Sequence, residues 1–162
     1  MLLGGRHNEY RTLYEAAIET AKKHNLFRPL NKDNLDILIS GLVKVIEGEV
    51  VLDPEGQHLV CFVGGMMAIG SQIFNRKDIK TARKLVDGCI WAYESTPSGI
   101  MPEIFRTIPC NGTEDCKWDE KKWHKAAKNY HHYYDGSAEN LIRETRLPPG
   151  FTEIADRSYG LR

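Results

Sequence analysis

Two residues and one short run have types and positions that suggest chemistry. Glu103 follows Met101-Pro102 in a loop-like stretch otherwise rich in apolar residues. A carboxyl group shielded from water there would suit proton donation, although a solvated loop glutamate is the plainer reading. His58 stands just before an apolar helix, where it either meets a ligand or serves as a cap or buried structural histidine. His131-His132-Tyr133-Tyr134-Asp135 offers metal-ligand types. Neighbouring histidines on a helix or strand point in different directions, and no second pair stands at ligand spacing, so no metal residue is assigned. Trp118, Trp123, Tyr130, Tyr133 and Tyr134 either line a sugar-binding face or pack inside, the commoner fate of aromatic rings. Phosphate-cradling and dinucleotide-binding glycine loops are missing, as are the GxSxG and HExxH patterns.

Four cysteines stand at 61, 89, 110 and 116, with no CxxC pair to suggest zinc or a thioredoxin-like redox site. Cys110 and Cys116 bracket Asn111-Gly112-Thr113, an acceptor sequon for N-glycosylation at Asn111. A sequon inside a short Cys-to-Cys loop favours an oxidising, secretory compartment over a cytosol with four free thiols. The N-terminal Met-Leu-Leu-Gly-Gly-Arg-His lacks the apolar core of a signal peptide, so a secretory parent is expected to begin upstream. The abrupt C-terminal Tyr159-Gly-Leu-Arg162 suggests a cut at the other end too.

The elements that must position these residues follow from periodicity. From Asn8, a plausible N-cap, Tyr10, Leu13, Tyr14, Ala17, Ile18 and Ala21 share one helical face, ending near residue 26 before Pro29. Between Leu35 and Leu52 a β-branched run predicts two short strands turning near Glu47-Gly48, and Asp53-Pro54-Glu55-Gly56 reads as a turn. A second helix is predicted over Leu59–Phe74, buried on several sides, with Gly64, Gly65 and Gly70 allowing close backbone approach. A third opens at Asp78 and carries Ile79, Ala82, Leu85, Val86, Cys89, Ile90 and Tyr93 on one stripe, making residues 59–95 a helical hairpin. Beyond it, Gly99–Cys116 reads as loop, 119–129 as a short helix, 140–143 as one helical turn, and Leu147–Phe151 as loop or turn.

The chain has 162 residues, 41% hydrophobic and 27% charged, enough for a folded core or part of a larger one. Lys plus Arg and Asp plus Glu number 22 each, giving zero formal net charge and no footprint for nucleic acid. Leu59–Gly70, the longest nearly apolar run, is too short to span a bilayer, so any anchor of the parent lies outside this segment.

His58-Leu-Val-Cys61-Phe-Val-Gly-Gly65, Cys89-Ile-Trp-Ala-Tyr-Glu-Ser-Thr-Pro-Ser-Gly-Ile-Met-Pro-Glu103, Leu147-Pro-Pro-Gly-Phe151 and Tyr159-Gly-Leu-Arg162 occur in that order. Together they resemble the class I α-1,2-mannosidases of glycoside hydrolase family 47, most closely the fungal members. The resemblance implies a mainly α fold, part of an (αα)7 barrel of helical hairpins with a short β-hairpin excursion. It implies an inverting, calcium-dependent hydrolase that trims terminal α-1,2-linked mannose from high-mannose N-glycans on glycoproteins in the endoplasmic reticulum, the Golgi lumen or outside the cell. Inversion needs two carboxyl groups held apart with a water between them.

Carried over residue by residue, the resemblance makes Glu103 a catalytic candidate in the cleft and His58 a contact to bound sugar. Arg162 corresponds to the arginine of a Leu-Arg-Pro-Glu motif. Cys61 and Cys89 match the family disulfide, whose closure would add about 3 kcal/mol of stability. Cys110 and Cys116 fall in an insertion associated with the fungal forms, with Asn111 inside it. The remaining catalytic carboxylates and the threonine that binds Ca²⁺ have no counterpart here. Residues 1–162 are therefore expected to be an incomplete segment of one catalytic domain, about a third by length, and inactive alone. Isolated from its ring, the segment should expose an apolar patch that includes Met66, Met67 and Ile73. Two other readings are a non-catalytic relative that binds high-mannose glycans in glycoprotein quality control, and a helical scaffold with free Cys61 and Cys89.

Overall fold

The computed structural model describes residues 7–110 and 116–159. In chain order they form α1 (Asn8–His24), β1 (Leu26–Phe27), β2 (Ile39–Ser40), β3 (Leu42–Ile46), β4 (Glu49–Asp53), β5 (Glu55–Gln57), a 3-10 turn (His58–Cys61), α2 (Phe62–Ile73), α3 (Ile79–Glu94), β6 (Pro102–Thr107), α4 (Glu120–Tyr130), α5 (Ala138–Thr145) and β7 (Phe151–Tyr159). The mainly α expectation is corrected to a mixed architecture, because five helices share the described residues with three small sheets.

The predicted helices form where apolar residues recur at three and four. In α1 the cap position belongs to His7, whose backbone is extended, and Asn8 is already helical. Lys22, Lys23 and His24 fill the last turn, where the helix dipole favours cations. α2 and α3 pair as the expected hairpin. At Gly64 a Cβ would lie 2.9 Å from Val86 Cγ2 and 3.2 Å from the Ala82 carbonyl, so the missing side chain lets α2 approach α3. At Gly70 a Cβ would meet the Tyr14 hydroxyl of α1, while Gly65 has open space around it.

Asp78 occupies the cap position of α3, yet its carboxylate caps nothing. It is buried between Lys22 Nζ (2.9 Å) and Arg76 Nε (2.6 Å), and its own N–H donates to Ser71 Oγ at 3.2 Å. Burial alone would raise its pKa, but these two cations outweigh that and hold the carboxyl below its ordinary value. The charge cluster and a small core of Ile18, Met67, Ala82 and Leu85 fasten α1 to the hairpin.

α2 is not buried on several sides as predicted. Met67 is fully sealed between α1 and α3, which corrects its place in the expected patch. Phe62 at 74% exposure, Ile69 at 61%, and half-exposed Met66 and Ile73 face outward, because among the described residues α1 and α3 cover only the other side of α2. Ile79, Val86 and Ile90 extend this apolar face along α3.

β3 and β4 form the predicted hairpin, paired from Leu42–Asp53 to Ile46–Glu49. Glu47 (φ 52°) and Gly48 (φ 86°) make its two-residue turn, both in the left-handed region that such turns require. A second sheet escaped sequence reading. β5, β6 and β7 pair antiparallel in that order, built from a predicted turn, a predicted loop and, for 152–159, residues over which no element is predicted. β5 has only three residues after Pro54, β6 opens on Pro102, and β7 carries charges through its middle, so none shows a clean alternating pattern. Past β6 the chain stays extended beside residues 28–30, with Leu30 N–H donating to Ile108 O at 2.8 Å and Cys110 N–H to Arg28 O at 2.9 Å.

The main core lies between this sheet, α3 and α4. Phe151 stacks on Trp91 (5.0 Å between centroids) and tilts against Phe105 (4.9 Å), while Trp123 Nε1 donates to the Phe151 carbonyl at 2.7 Å. Two disulfides, Cys61–Cys89 and Cys110–Cys116, span Cα–Cα distances of 5.8 and 5.4 Å. Among the described residues, no helix is long and apolar enough to cross a membrane.

Two outcomes follow from this packing. Phe151→Ala should cost about 3–5 kcal/mol in urea unfolding, whereas the exposed Val45→Ala should stay within about 0.5 kcal/mol. Thiol titration in denaturant without reductant should find no reactive cysteine, and all four only after reduction.

Candidate functional site

β5 delivers His58 and β6 delivers Glu103 to the same end of the three-stranded sheet. The last pair between these strands is Gln57–Ile104, and His58 and Glu103 are the next residues on either side. Glu103 therefore belongs to a strand rather than the predicted loop, and its side chain is half-buried. Pairing on both sides fixes the backbone of β6, which a loop would leave free to move.

His58 opens the 3-10 turn, and its side chain is held by the long stripe of α3: His58 Nε2 lies 2.6 Å from Tyr93 Oη. The Cys61–Cys89 bridge ties the same turn to the same helix. Cys61 Sγ lies 3.8 Å from Met101 Sδ, so the bridge also touches the segment that leads into Glu103.

A charge network braces the sheet below this end. Arg106, on β6, donates to Asp53 at the end of β4 and to Glu55 on β5, and lies 3.2 Å from Glu153 on β7 without the alignment of a hydrogen bond. Lys44 reaches Asp53 at 2.8 Å, and the Arg106 guanidinium sits 5.4 Å from the centre of the Tyr130 ring. Burial would raise the Asp53 pKa, but hydrogen bonds from Lys44 and Arg106 outweigh it and hold the carboxyl below its ordinary value. Burial, and then Glu153 beside it, push the Tyr130 hydroxyl up.

The other candidates separate clearly. Arg162 and Asn111 lie outside the described residues. Trp123 is buried and supplies no open sugar-binding face, and the half-buried Trp118 packs against it. His131 is buried, its Nδ1 2.9 Å from Tyr133 Oη and its Nε2 3.2 Å from Thr152 O. Among the described residues no group of three or more His, Cys, Asp or Glu is placed to hold a metal ion. Sequence reasoning missed two participants, Tyr93 as a partner of His58 and Arg106 as the hub of the network. Spacing carried a trace of the first, since Tyr93 follows Cys89 by one α-helical turn. Nothing local signalled the second.

Comparison with known sequences matches the model of glycosyl hydrolase family 47 to residues 1–162. The chain is 33% identical over 117 residues to a protein of Aspergillus fumigatus named "Probable mannosyl-oligosaccharide alpha-1,2-mannosidase 1B", which covers 72% of this chain and 20% of that protein. It is 34% identical over 101 residues to the mannosyl-oligosaccharide alpha-1,2-mannosidase 1B of Aspergillus phoenicis, covering 62% and 18%. The protein of the same name from Emericella nidulans is 33% identical over 111 residues, covering 68% and 21%. The aligned part of the chain spans about a fifth of the length of these relatives.

The network has a pH signature. Because the folded pKa of Asp53 is depressed, its stabilisation is complete above the unfolded carboxylate pKa and disappears as pH falls through the folded value. Asp53→Asn should be less stable than the native chain by about 1–3 kcal/mol at neutral pH. In urea unfolding repeated down the pH scale, that gap should begin to shrink near about pH 4 and close as pH falls through the depressed folded value. A gap unchanged at low pH would mean that packing, not charge, is what the substitution disturbs.

Proposed function

From the premise that the chain belongs to glycosyl hydrolase family 47, we propose that its parent removes terminal α-1,2-linked mannose from high-mannose N-glycans with inversion at the anomeric carbon. The observation that carries this reading is the family match over the full chain, together with His58 and Glu103 lying at one end of one sheet. In an inverting hydrolysis an acid protonates the departing glycosidic oxygen while a base activates water on the opposite face of the sugar. The two carboxyl groups stand about 6.5–9.5 Å apart to admit that water. Glu103 is the residue of this segment proposed to supply the proton. His58, and Arg162 beyond the described residues, are proposed to hydrogen-bond the sugar. The partner carboxylate belongs to the rest of the parent.

Calcium is part of the proposal for the parent only. The described residues do not fit a calcium site, since no group of three or more His, Cys, Asp or Glu among them is placed to hold a metal ion, and no step assigned to this segment runs through the ion. The α2–α3 hairpin is proposed as one unit of the (αα)7 ring. The outward Phe62, Ile69, Ile73, Val86 and Ile90 support this, because a contiguous apolar face on a helical hairpin calls for cover. Two disulfides support a parent that matures in the secretory lumen.

The test is a chain extended to the full family domain, assayed with Ca²⁺ on α-1,2-mannobiose and on a high-mannose N-glycan. Release of β-mannose, the inverted anomer, is expected. Glu103→Gln should lower kcat by about 10²–10⁴-fold with little change in KM. The 162-residue chain alone should show no turnover. A full domain that binds the glycan but never releases mannose would replace the enzyme with a glycan-binding relative.

A further inference from the structure

The contact between His58 and Tyr93 sets more than the position of a ring. The 3-10 turn has three residues per turn, so His58 stands directly over Cys61. On α3, Cys89 and Tyr93 are four apart and share a face. The bridge from Cys61 to Cys89 therefore holds the two backbones so that His58 and Tyr93 meet one turn further along. Their rings cross at 72° with centroids 6.0 Å apart, so Tyr93 reaches the imidazole through its hydroxyl and not by stacking.

Chemistry favours the hydroxyl as the donor across this 2.6 Å contact: a phenol is a far stronger acid than the N–H of a neutral imidazole, and an imidazole nitrogen is a stronger base than a phenol oxygen. A hydroxyl that donates to Nε2 leaves that nitrogen unprotonated, and the proton of the neutral ring must then sit on Nδ1. Among the described residues Nδ1 has no hydrogen-bond partner, and the side chain is part-exposed.

Tyr93 is itself fixed at the end of α3. Its carbonyl accepts from Thr96 Oγ1 at 3.0 Å, and the same hydroxyl lies 2.8 Å from the Ile100 carbonyl, just before the strand that bears Glu103. One short turn thus links the helix carrying Tyr93 to the proposed acid.

We propose that Tyr93 is the positioning residue of His58: its hydroxyl donates to Nε2, fixes the ring proton on Nδ1, and so offers an N–H, not a lone pair, to a sugar oxygen. The ligand half of this statement rests on the reading of His58 as a sugar contact. The positioning half rests on the contact geometry and on the relative acidity of the two groups.

The experiment is long-range ¹H–¹⁵N correlation of the imidazoles in the ¹⁵N-labelled 162-residue chain, at a pH where the ring is neutral. The native chain should show His58 protonated at Nδ1. Tyr93→Phe keeps the ring and removes the donor, and the proton should move to Nε2, the tautomer that free histidine favours. A native spectrum with the proton on Nε2, or a folded Tyr93→Phe chain with an unchanged spectrum, overturns the positioning half. If Tyr93→Phe does not fold, the native spectrum decides alone. The ligand half is read in the full family domain, where α-1,2-mannobiose should shift the His58 Nδ1–H resonance. The native tautomer with a resonance that ignores the sugar overturns that half, and with it the sugar-contact reading, while the role of Tyr93 stands.

Discussion

The backbone of Pro102–Thr107 runs between two other strands, and each buried N–H or carbonyl left without a partner would cost about 1–3 kcal/mol. That requirement organises the rest of the sheet. β5 is brought in from just before the 3-10 turn and β7 from the far end of the sequence, and both must arrive for β6 to be satisfied. Their arrival carries side chains along. Phe151 comes with β7 into the ring stack on Trp91 and Phe105, and His58 comes with β5 to the end where Glu103 sits. The same pairing collects Glu55 and Glu153 around Arg106, from the strands on either side. A part-buried guanidinium with three carboxylates nearby is weak evidence of stability taken alone. It does oppose any slip in register, because moving β5 by one residue would pull Glu55 away from its cation.

Helices and sheet divide the labour. α1, α2 and α3 make a small core of their own, closed by the Asp78–Lys22–Arg76 cluster, and expose a long apolar face on the other side. The sheet side is better sealed: Phe105, Phe151 and Met101 are almost wholly removed from water. The candidate site sits where these halves join, at the 3-10 turn that leads from β5 into α2 and is bridged to α3. Shifts of α3 relative to the sheet would be felt by His58, since Tyr93 belongs to the helix and Glu103 to the strand.

What was legible in the sequence tracks how local each signal is. α1, the α2–α3 hairpin and α4 announce themselves through apolar spacing within a few turns, and the β3–β4 hairpin through its β-branched runs around Glu47-Gly48. β5, β6 and β7 do not, because their stability lies in partners far apart in the chain and in burial that short, charged segments do not advertise. α5 extends over eight residues where only one turn was foreseen, with Ser137 accepting from Asn140 N–H at its cap. Of the site, His58 and Glu103 came from resemblance, and pattern alone favoured a structural histidine and a solvated glutamate. Tyr93 and Arg106 were out of reach for a plainer reason. Each acts through residues on other elements, and no short window along the sequence contains both sides of the contact.

The difference between these two missed residues separates architecture from chemistry. Arg106 is consumed by carboxylates, its charge spent on holding β4, β5, β6 and β7 together, with little left to offer a ligand. Tyr93 engages one nitrogen of His58 and leaves the other without a partner among the described residues. A side chain fixed at one atom and open at the next is organised for contact, since its direction is set before a ligand arrives and less ordering entropy remains to be lost. The Cys61–Cys89 bridge adds to that economy by holding the turn and the helix together whether or not the hydrogen bond is made. The ring of Tyr93 packs at the margin of the main core while its hydroxyl sets the orientation and tautomer of one imidazole.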